Sequence, residues 1–256
     1  MDNGARLRMR RWLIGLAVLG ILFWSAMGTE SDVRKFADIG ATAQFVATRW
    51  FPPDWSVLPK ALHQAIITLQ IAITGTFWAL VAALPIAFLA AWNTAPHPAV
   101  YHLVRTLLSF ARSVPEIVWA LLFVPTIGLG PFGGVLAIFL HNLGVLGKLL
   151  SELVEAAERG PQEAVASVGA RKVLVILFGI IPQIGPNILS HYFYRLEVGV
   201  RTSLILGFIG AGGIGAQLFI DFNLQNYTRV AVEVLVIMGL VVIVDYLGAY
   251  LRSKVI

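Results

Sequence analysis

Arg112 and Glu116 stand four residues apart in apolar surroundings, a spacing that would stack them on one face of a helix. Glu197 and Arg201 repeat it with the polarity reversed. Groups of this kind have two uses. As structural ion pairs, each lowers the other's desolvation cost; as the lining of a path, they attract a charged solute. Arg195 differs, because the position four residues on is Gly199 and offers it no acid. A surplus guanidinium with the hydroxyls of Thr202 and Ser203 nearby suits a small oxyanion. His141 and Asn142 lie in another uncharged run, where a hydrogen bond between helices and a gate or solute contact are both open readings. Catalytic chemistry is poorly supplied. His63, His97, His102 and His191 are scattered, with no H-E-x-x-H, no other metal-ligand cluster and no G-x-S-x-G nucleophile. With zero Cys there is no disulfide framework, thiol nucleophile or cysteine metal site. These residues point to binding and passage, and no enzyme is expected.

Holding such groups takes long apolar elements, and the composition supplies them. Of 256 residues, 58% are hydrophobic and only 13% charged, against about 25% charged in a soluble domain. Mean hydropathy is +0.80. No Asp, Glu, Lys or Arg falls between Arg11 and Glu30, Lys60 and Arg105, Glu116 and Lys148, Lys172 and Arg195, or Arg201 and Asp221. A membrane helix needs about 20 mostly apolar residues, and these gaps provide them. The chain reads as an all-α polytopic membrane protein, one transmembrane domain over residues 1–256 with about six spans. The spans fall near Trp12–Gly28, His63–Trp92, Tyr101–Thr126, Gly133–Leu150, Val173–Tyr194 and Val230–Leu251. A soluble enzyme, a disordered chain and a nucleic-acid reader are excluded. The pI near 9.7 fits basic cytoplasmic loops, and the basic residues form no Arg/Lys stripe.

Six spans put both termini in the cytoplasm. Arg6, Arg8, Arg10, Arg11, Arg105, Lys148, Arg159, Arg171, Lys172, Arg252 and Lys254 then fall inside. They outnumber Arg34, Lys35, Arg49, Lys60, Arg195, Arg201 and Arg229, outside or re-entrant, as the positive-inside rule requires. Ser25-Ala26-Met27 resembles a signal-peptidase site, but the apolar run before it is long, and an uncleaved anchor is expected. Residues 29–62 form an extracytoplasmic segment, with Trp50 and Trp55 around the turn-forming Phe51-Pro52-Pro53-Asp54 as an aromatic belt. Ala79, Ala83, Ala87 and Ala91 recur every four residues, which lets helices approach closely, either within one subunit or between two.

Residues 151–172 form the most informative loop. Its second half reads as a short helix with its own punctuation: Pro161 at the first helical position, Glu163 in the first turn, and Gly169 as the left-handed stop before Arg171 and Lys172. About eight residues of helix reach only ~12 Å, so it cannot cross a membrane. A capped helix held between two spans suits contact with something in the cytoplasm, although a loop helix lying on lipid headgroups would look the same.

Glu163-Ala164-Val165, then Gly169, then Pro182 thirteen residues further on, resembles the E-A-A…G…I-x-L-P loop of ABC-importer permeases. Val165 stands for the second Ala, and Gly179 and Ile181 stand where Ile and Leu are usual. The resemblance implies that Glu163, Ala164, Gly169 and Pro182 couple the chain to an ATPase. It implies a homodimer working with two cytoplasmic ATPase subunits and an extracytoplasmic substrate-binding protein, with ATP and Mg held by the ATPase and no cofactor in this chain. Arg112-Ser-Val-Pro-Glu116, Gly128-Leu-Gly-Pro-Phe132, Gly144-Val-Leu-Gly-Lys148, Arg195-Leu-Glu-Val-Gly-Val-Arg201 and Gly210-Ala-Gly-Gly-Ile-Gly215 together resemble the phosphonate/phosphite branch. The methionine branch shares the loop and a similar glycine cluster, so an amino-acid permease is the alternative. A secondary transporter, more remote, would need an ion-coupling site of its own.

Gly210, Gly212 and Gly215 also match the G-x-G-x-x-G dinucleotide fingerprint. That motif counts only between a strand and a helix, whereas its flanks here are an apolar run and a span. With Gly213, the cluster reads as a gate or re-entrant bend within an outer segment at about 195–228, where glycine tolerates a non-helical backbone beside a cavity.

Overall fold

The computed structural model describes residues 3–29 and 39–255; Arg34 and Lys35 lie outside the described residues, as do the side chains of Arg6 and Arg8. Among the described residues every element is helical. The chain divides into two compact units, Met1–Phe51 and Pro52–Ile256. The first contains α1 (Asn3–Gly28) and α2 (Ile39–Arg49). Over Met9–Gly28 α1 buries none of its side chains within the chain. An apolar helix that buries nothing internally has lipid as its natural solvent.

The second unit contains α3 (Leu58–Leu89), α4 (Pro98–Ser113), α5 (Glu116–Ile127), α6 (Pro131–Ala156), α7 (Arg159–Ser167), α8 (Lys172–Val175), α9 (Ile181–Leu206), α10 (Gly213–Asn223) and α11 (Tyr227–Val255). The centre of this unit is α3 on α6. Ala79, Ala83, Ala87 and Ala91 are buried among Leu146, Leu150, Val154, Ile180, Ile184 and Ile188, so the alanine stripe packs within the subunit. Among the described residues five helical stretches are long and apolar enough to cross a membrane, and the bent pair α4–α5 makes a sixth if it is one span.

That pair corrects the expected straight helix over Tyr101–Thr126. Pro115 disfavours helical backbone at the residue before it, and Val114 is extended at φ −88°, ψ 120°. The two halves meet at 85°. Each packs on a different stretch of α6: α4 lies against Gly144 and Gly147, and α5 against Gly133.

The fifth span is also longer than expected. Its apolar stretch runs from Lys172 to Ala211, 40 residues, about twice what a bilayer needs. It passes through a π-helical turn at Ile176–Ile180, just before Pro182, whose missing N–H leaves the ladder incomplete there. Arg195, Glu197, Arg201, Thr202 and Ser203 therefore sit on the regular helix α9. The backbone breaks only at Ile209–Gly210, and Gly212 and Gly213 follow with φ of +75° and +74° before α10 begins. Glycine is the residue that adopts this left-handed conformation at no steric cost.

Two polar ties fix the far ends of α10 and α11. Buried Asp221 accepts hydrogen bonds from Gln217 Nε2 and Asn226 Nδ2 and faces the buried Glu233 carboxyl of α11. Asp54 accepts from Ser56 N–H and Oγ and from Arg229 Nε. The Ser56 hydroxyl holds the Asp54 carboxyl below the ordinary carboxylate range, with Arg229 assisting.

Candidate functional site

Four helices bring polar side chains together around the α4–α5 break. On α6, Asn142 is buried; its Nδ2 donates to Thr76 Oγ1 of α3 at 3.1 Å, and its Oδ1 accepts from Arg195 Nε of α9 at 2.9 Å and from Arg195 Nη2. The guanidinium continues to Glu116 Oε1 at the start of α5, 3.4 Å away. Glu116 Oε1 also lies 3.2 Å from His141 Nε2, and His141 Nδ1 lies 3.0 Å from the Val114 carbonyl at the break itself. Thr76, Asn142, Arg195, Glu116 and His141 thus form one chain of contacts ending on the bent backbone.

The backbone around the cluster is built for close approach. Gly199 lies one turn beyond Arg195, and a Cβ there would come within 3.2 Å of Thr76 Oγ1. The absence of an acid four residues after Arg195 is explained by this contact. At Gly144 a Cβ would meet Leu108 O at 2.9 Å, so the end of α4 rests on α6 backbone.

Neither pairing suggested by i,i+4 spacing forms among the described residues, and three of the four side chains take partners on other helices. Arg112 and Glu116 lie on different helices; Arg112 is exposed and makes no ion pair among the described residues, while Glu116 serves Arg195 and His141. Arg195, expected to lack a partner, has two. Glu197 pairs with Arg252 of α11, and Gly248 admits it, since a Cβ there would overlap the carboxylate. Arg201 Nη2 reaches both oxygens of Asp245 at 2.5 Å. Ser203 is buried, donating to Val200 O at 2.8 Å and to Thr68 O at 3.2 Å, so it is not an available solute donor. Thr202 is half-buried. Sequence spacing within one helix says nothing about which helix lies opposite, and here the opposite helix decided every partner.

A second feature lies at the other end of α9. A Cβ at Gly179 would meet Gln162 Cα at 3.0 Å, so glycine at the position usually held by Ile lets α7 pack directly on the π-helical turn. Gln183 and Gln162, which the sequence reading did not single out, fix it there. Gln183 Oε1 accepts from Glu158 N at 2.9 Å while its Nε2 donates to Glu158 O at 3.2 Å, and Gln162 Nε2 donates to Glu158 O at 2.9 Å. α7 starts at Arg159, so Pro161 is in its first turn but two residues later than expected. Gly169 has φ +78° as expected of a left-handed stop. Glu163 and Ala164 lie on α7, with Glu163 on an open hollow of about 420 Å³ shared with Trp92, Asn93, Arg159 and Gln162.

Residues 83–256 match the family model described as binding-protein-dependent transport system inner membrane component. The chain belongs to this family. It is a multi-pass inner-membrane transport component of the kind that works with a binding protein. Its relatives include the phosphite transport system permease protein PtxC of Stutzerimonas stutzeri, 40% identical over 79% of this chain and 74% of that one. The putative phosphite transport system permease protein HtxC of the same organism is 35% identical over 97% of this chain and 88% of its own. The fold is similar to that of a chain in an inward-facing structure of the MetNI methionine ABC transporter, with a TM-score of 0.67 at 18% identity over 76% of this chain and 95% of that one. In the present chain α7 lies at the start of the long Lys172–Ala211 stretch and the Arg195 cluster at the α4–α5 break.

Proposed function

We propose that this chain is the membrane-spanning subunit of an ATP-driven ABC importer and forms the path for a small phosphorus oxyanion such as phosphite or a phosphonate. It works as a homodimer with two cytoplasmic ATPases, which hold ATP and Mg, and an extracytoplasmic substrate-binding protein. Both termini and α7 face the cytoplasm. The observation that carries the substrate class is Arg195, a residue 9% exposed beside the break of a span, whose Nη1 makes no hydrogen bond among the described residues. An arginine fork is the preferred partner of phosphate-like oxygens. The named phosphite permeases that align over most of this chain support the same substrate class. The test is ATP-dependent uptake by proteoliposomes carrying the assembled complex. Phosphite or methylphosphonate should accumulate and methionine should not; the reverse result overturns the substrate class.

Coupling rests on α7 and its stop. A Cβ at Gly169 would meet nothing within 4 Å, so a substitution there costs backbone strain and not crowding. That strain is about 1–3 kcal/mol for a β-branched residue, and Asn tolerates the conformation better than Val does. Gly169→Val is expected to separate ATP hydrolysis from uptake, and Gly169→Asn to retain most coupling. Parallel ATPase and uptake assays on the same liposomes measure both; full coupling in the Val variant would remove α7 from the ATPase interface.

A further inference from the structure

Arg112, set four residues from Glu116, finds no acid once the bend at Val114 carries Glu116 away. It is exposed on the last turn of α4 and makes no hydrogen bond or ion pair among the described residues. The packing of α4 on α6 fixes its level in the bundle. A Cβ at Gly144 would meet Arg112 N at 2.5 Å, so Arg112 stands opposite Gly144. Arg195 holds Asn142 Oδ1, two residues earlier on α6. Lys148 follows four residues after Gly144 and pairs with Glu152 at 3.0 Å. Arg105 lies two turns before Arg112 on the same face of α4, reaching Glu152 at 3.9 Å and Glu155 at 2.9 Å.

Along α6 the steps from Asn142 to Gly144 and on to Lys148 are about 3 Å and 6 Å. Arg195, Arg112, Lys148 and Arg105 thus follow one seam from the span break toward the α7 end, answered by Glu116, Glu152 and Glu155. Arg112 is the cation left over. An exposed guanidinium on a span needs a counter-charge, because hydrocarbon is a costly solvent for it. The dipole at the end of α4 offsets only part of that cost. A second copy of the chain does not complete it. Among the described residues of α3–α6 and α8–α11, every carboxylate is already ion-paired or buried. A translocated anion does complete it.

We propose that Arg112 is a specificity-determining contact of the anion path, taking the phosphorus oxyanion from the Arg195 cluster and delivering it along the α4–α6 seam toward Lys148 and Arg105. Arg195 is committed to Asn142 and Glu116, whereas the guanidinium of Arg112 is free to make the two-pronged contact that such an anion accepts. Beyond it, Lys148 and Arg105 are each partly neutralised by their own acids, so the anion is held less firmly there and can leave.

The inference rests on the oxyanion-importer reading, and thiol labelling separates the two. The chain has zero Cys, so Arg112→Cys places a single thiol on each copy in the assembled complex. Leu107→Cys, on the exposed apolar face of α4, is the control. During ATP turnover Arg112→Cys should react with an anionic methanethiosulfonate, and phosphite should slow the reaction; Leu107→Cys should resist this water-borne reagent. Phosphite uptake per ATP hydrolysed should fall about tenfold in Arg112→Gln, the low end for loss of a focusing charge, and further in Arg112→Glu. Arg112→Lys should keep part of it. Aminoethylation of Arg112→Cys restores a cation in an already assembled complex and should raise its uptake severalfold, a rescue that a purely structural role would not allow. The same assays in phosphatidylcholine vesicles with and without phosphatidylglycerol distinguish solute from headgroup. A defect of equal size in both supports the proposal; one confined to the anionic vesicles assigns Arg112 to a lipid phosphate and overturns it. No reaction of Arg112→Cys, the result if a second copy covers it, also overturns it, as does unchanged uptake by Arg112→Gln. If the unchanged complex carries another anion and not phosphite, and that anion protects Arg112→Cys, the substrate class falls and the seam stands.

Discussion

Arg195→Met should destabilise the assembled permease by about 3 kcal/mol, near the low end for a broken buried pair because Glu116 keeps a 20% exposed side chain. Removal of the guanidinium leaves Asn142 Oδ1 without its donor and Glu116 with His141 alone. For a chain of this size the loss corresponds to roughly 6–12 °C in thermal unfolding. The double change Arg195→Met with Glu116→Gln should recover part of it, since no uncompensated carboxylate then remains. Arg195→Lys separates structure from passage. An ammonium keeps the charge but cannot place two N–H groups on Asn142 Oδ1 while reaching Glu116, and uptake should fall about tenfold or more with smaller loss of stability. Uptake by the Lys variant equal to that of the unchanged chain would make Arg195 a structural tie and take it out of the path.

The two kinds of expectation made about Arg195 show where sequence reading has reach. Charge-free runs identify spans because a bilayer core requires about 20 apolar residues whatever the fold. The apolar stretch of α1, the span of α3 and the α7 punctuation were legible for that kind of local reason: solvent, length and left-handed backbone at Gly169. The residues of the cluster were also legible one by one, since Arg112, Glu116, His141, Asn142 and Arg195 all stood out in apolar runs. Their partners were not. Helical spacing paired Arg112 with Glu116, but Pro115 intervenes, and an 85° bend sends the two side chains apart. Pro115 was visible in the sequence and was the one signal that could have broken that pair. Arg195 meets Asn142 across 53 positions and Glu116 across 79, separations that no local pattern encodes. Thr76 has no charge to draw notice, yet it closes the network on α3. The close helix approaches were legible at the alanine stripe of α3, and beyond Gly169 unusual backbone was read only at Gly210, Gly212, Gly213 and Gly215. At Gly199, Gly144 and Gly248 the actual reason is a neighbouring helix that leaves no room for a methyl group.

The same distinction between backbone freedom and space yields the sharpest expected loss. Gly215 does not share the left-handed φ of Gly210, Gly212 and Gly213, so its torsions alone would admit alanine. Space does not. A Cβ at Gly215 would overlap the carbonyl oxygen of Leu204 and lie 2.9 Å from its carbon, and both atoms belong to α9 backbone. A flexible side chain could rotate away, whereas a helix carbonyl cannot. Gly207, on the facing side, repeats the constraint against the backbone of Gly215 at 2.8 Å, so α10 and the end of α9 touch backbone to backbone. Gly215→Ala should therefore push α10 off α9 and strain the bond from Ile214 N to Thr68 Oγ1, now 3.0 Å, that seats α10 on α3. The expected cost is at least about 3 kcal/mol, the upper range for overpacking, and Gly215→Val should prevent assembly. Gly239→Ala on α11, where a Cβ meets nothing within 4 Å, is the matched control and should assemble and transport normally. Yields of complex by size exclusion, with uptake per assembled complex, test both. Normal assembly of Gly215→Ala would mean that α10 is free to move away from α9, and the fixed seat of the glycine bend would have to be abandoned.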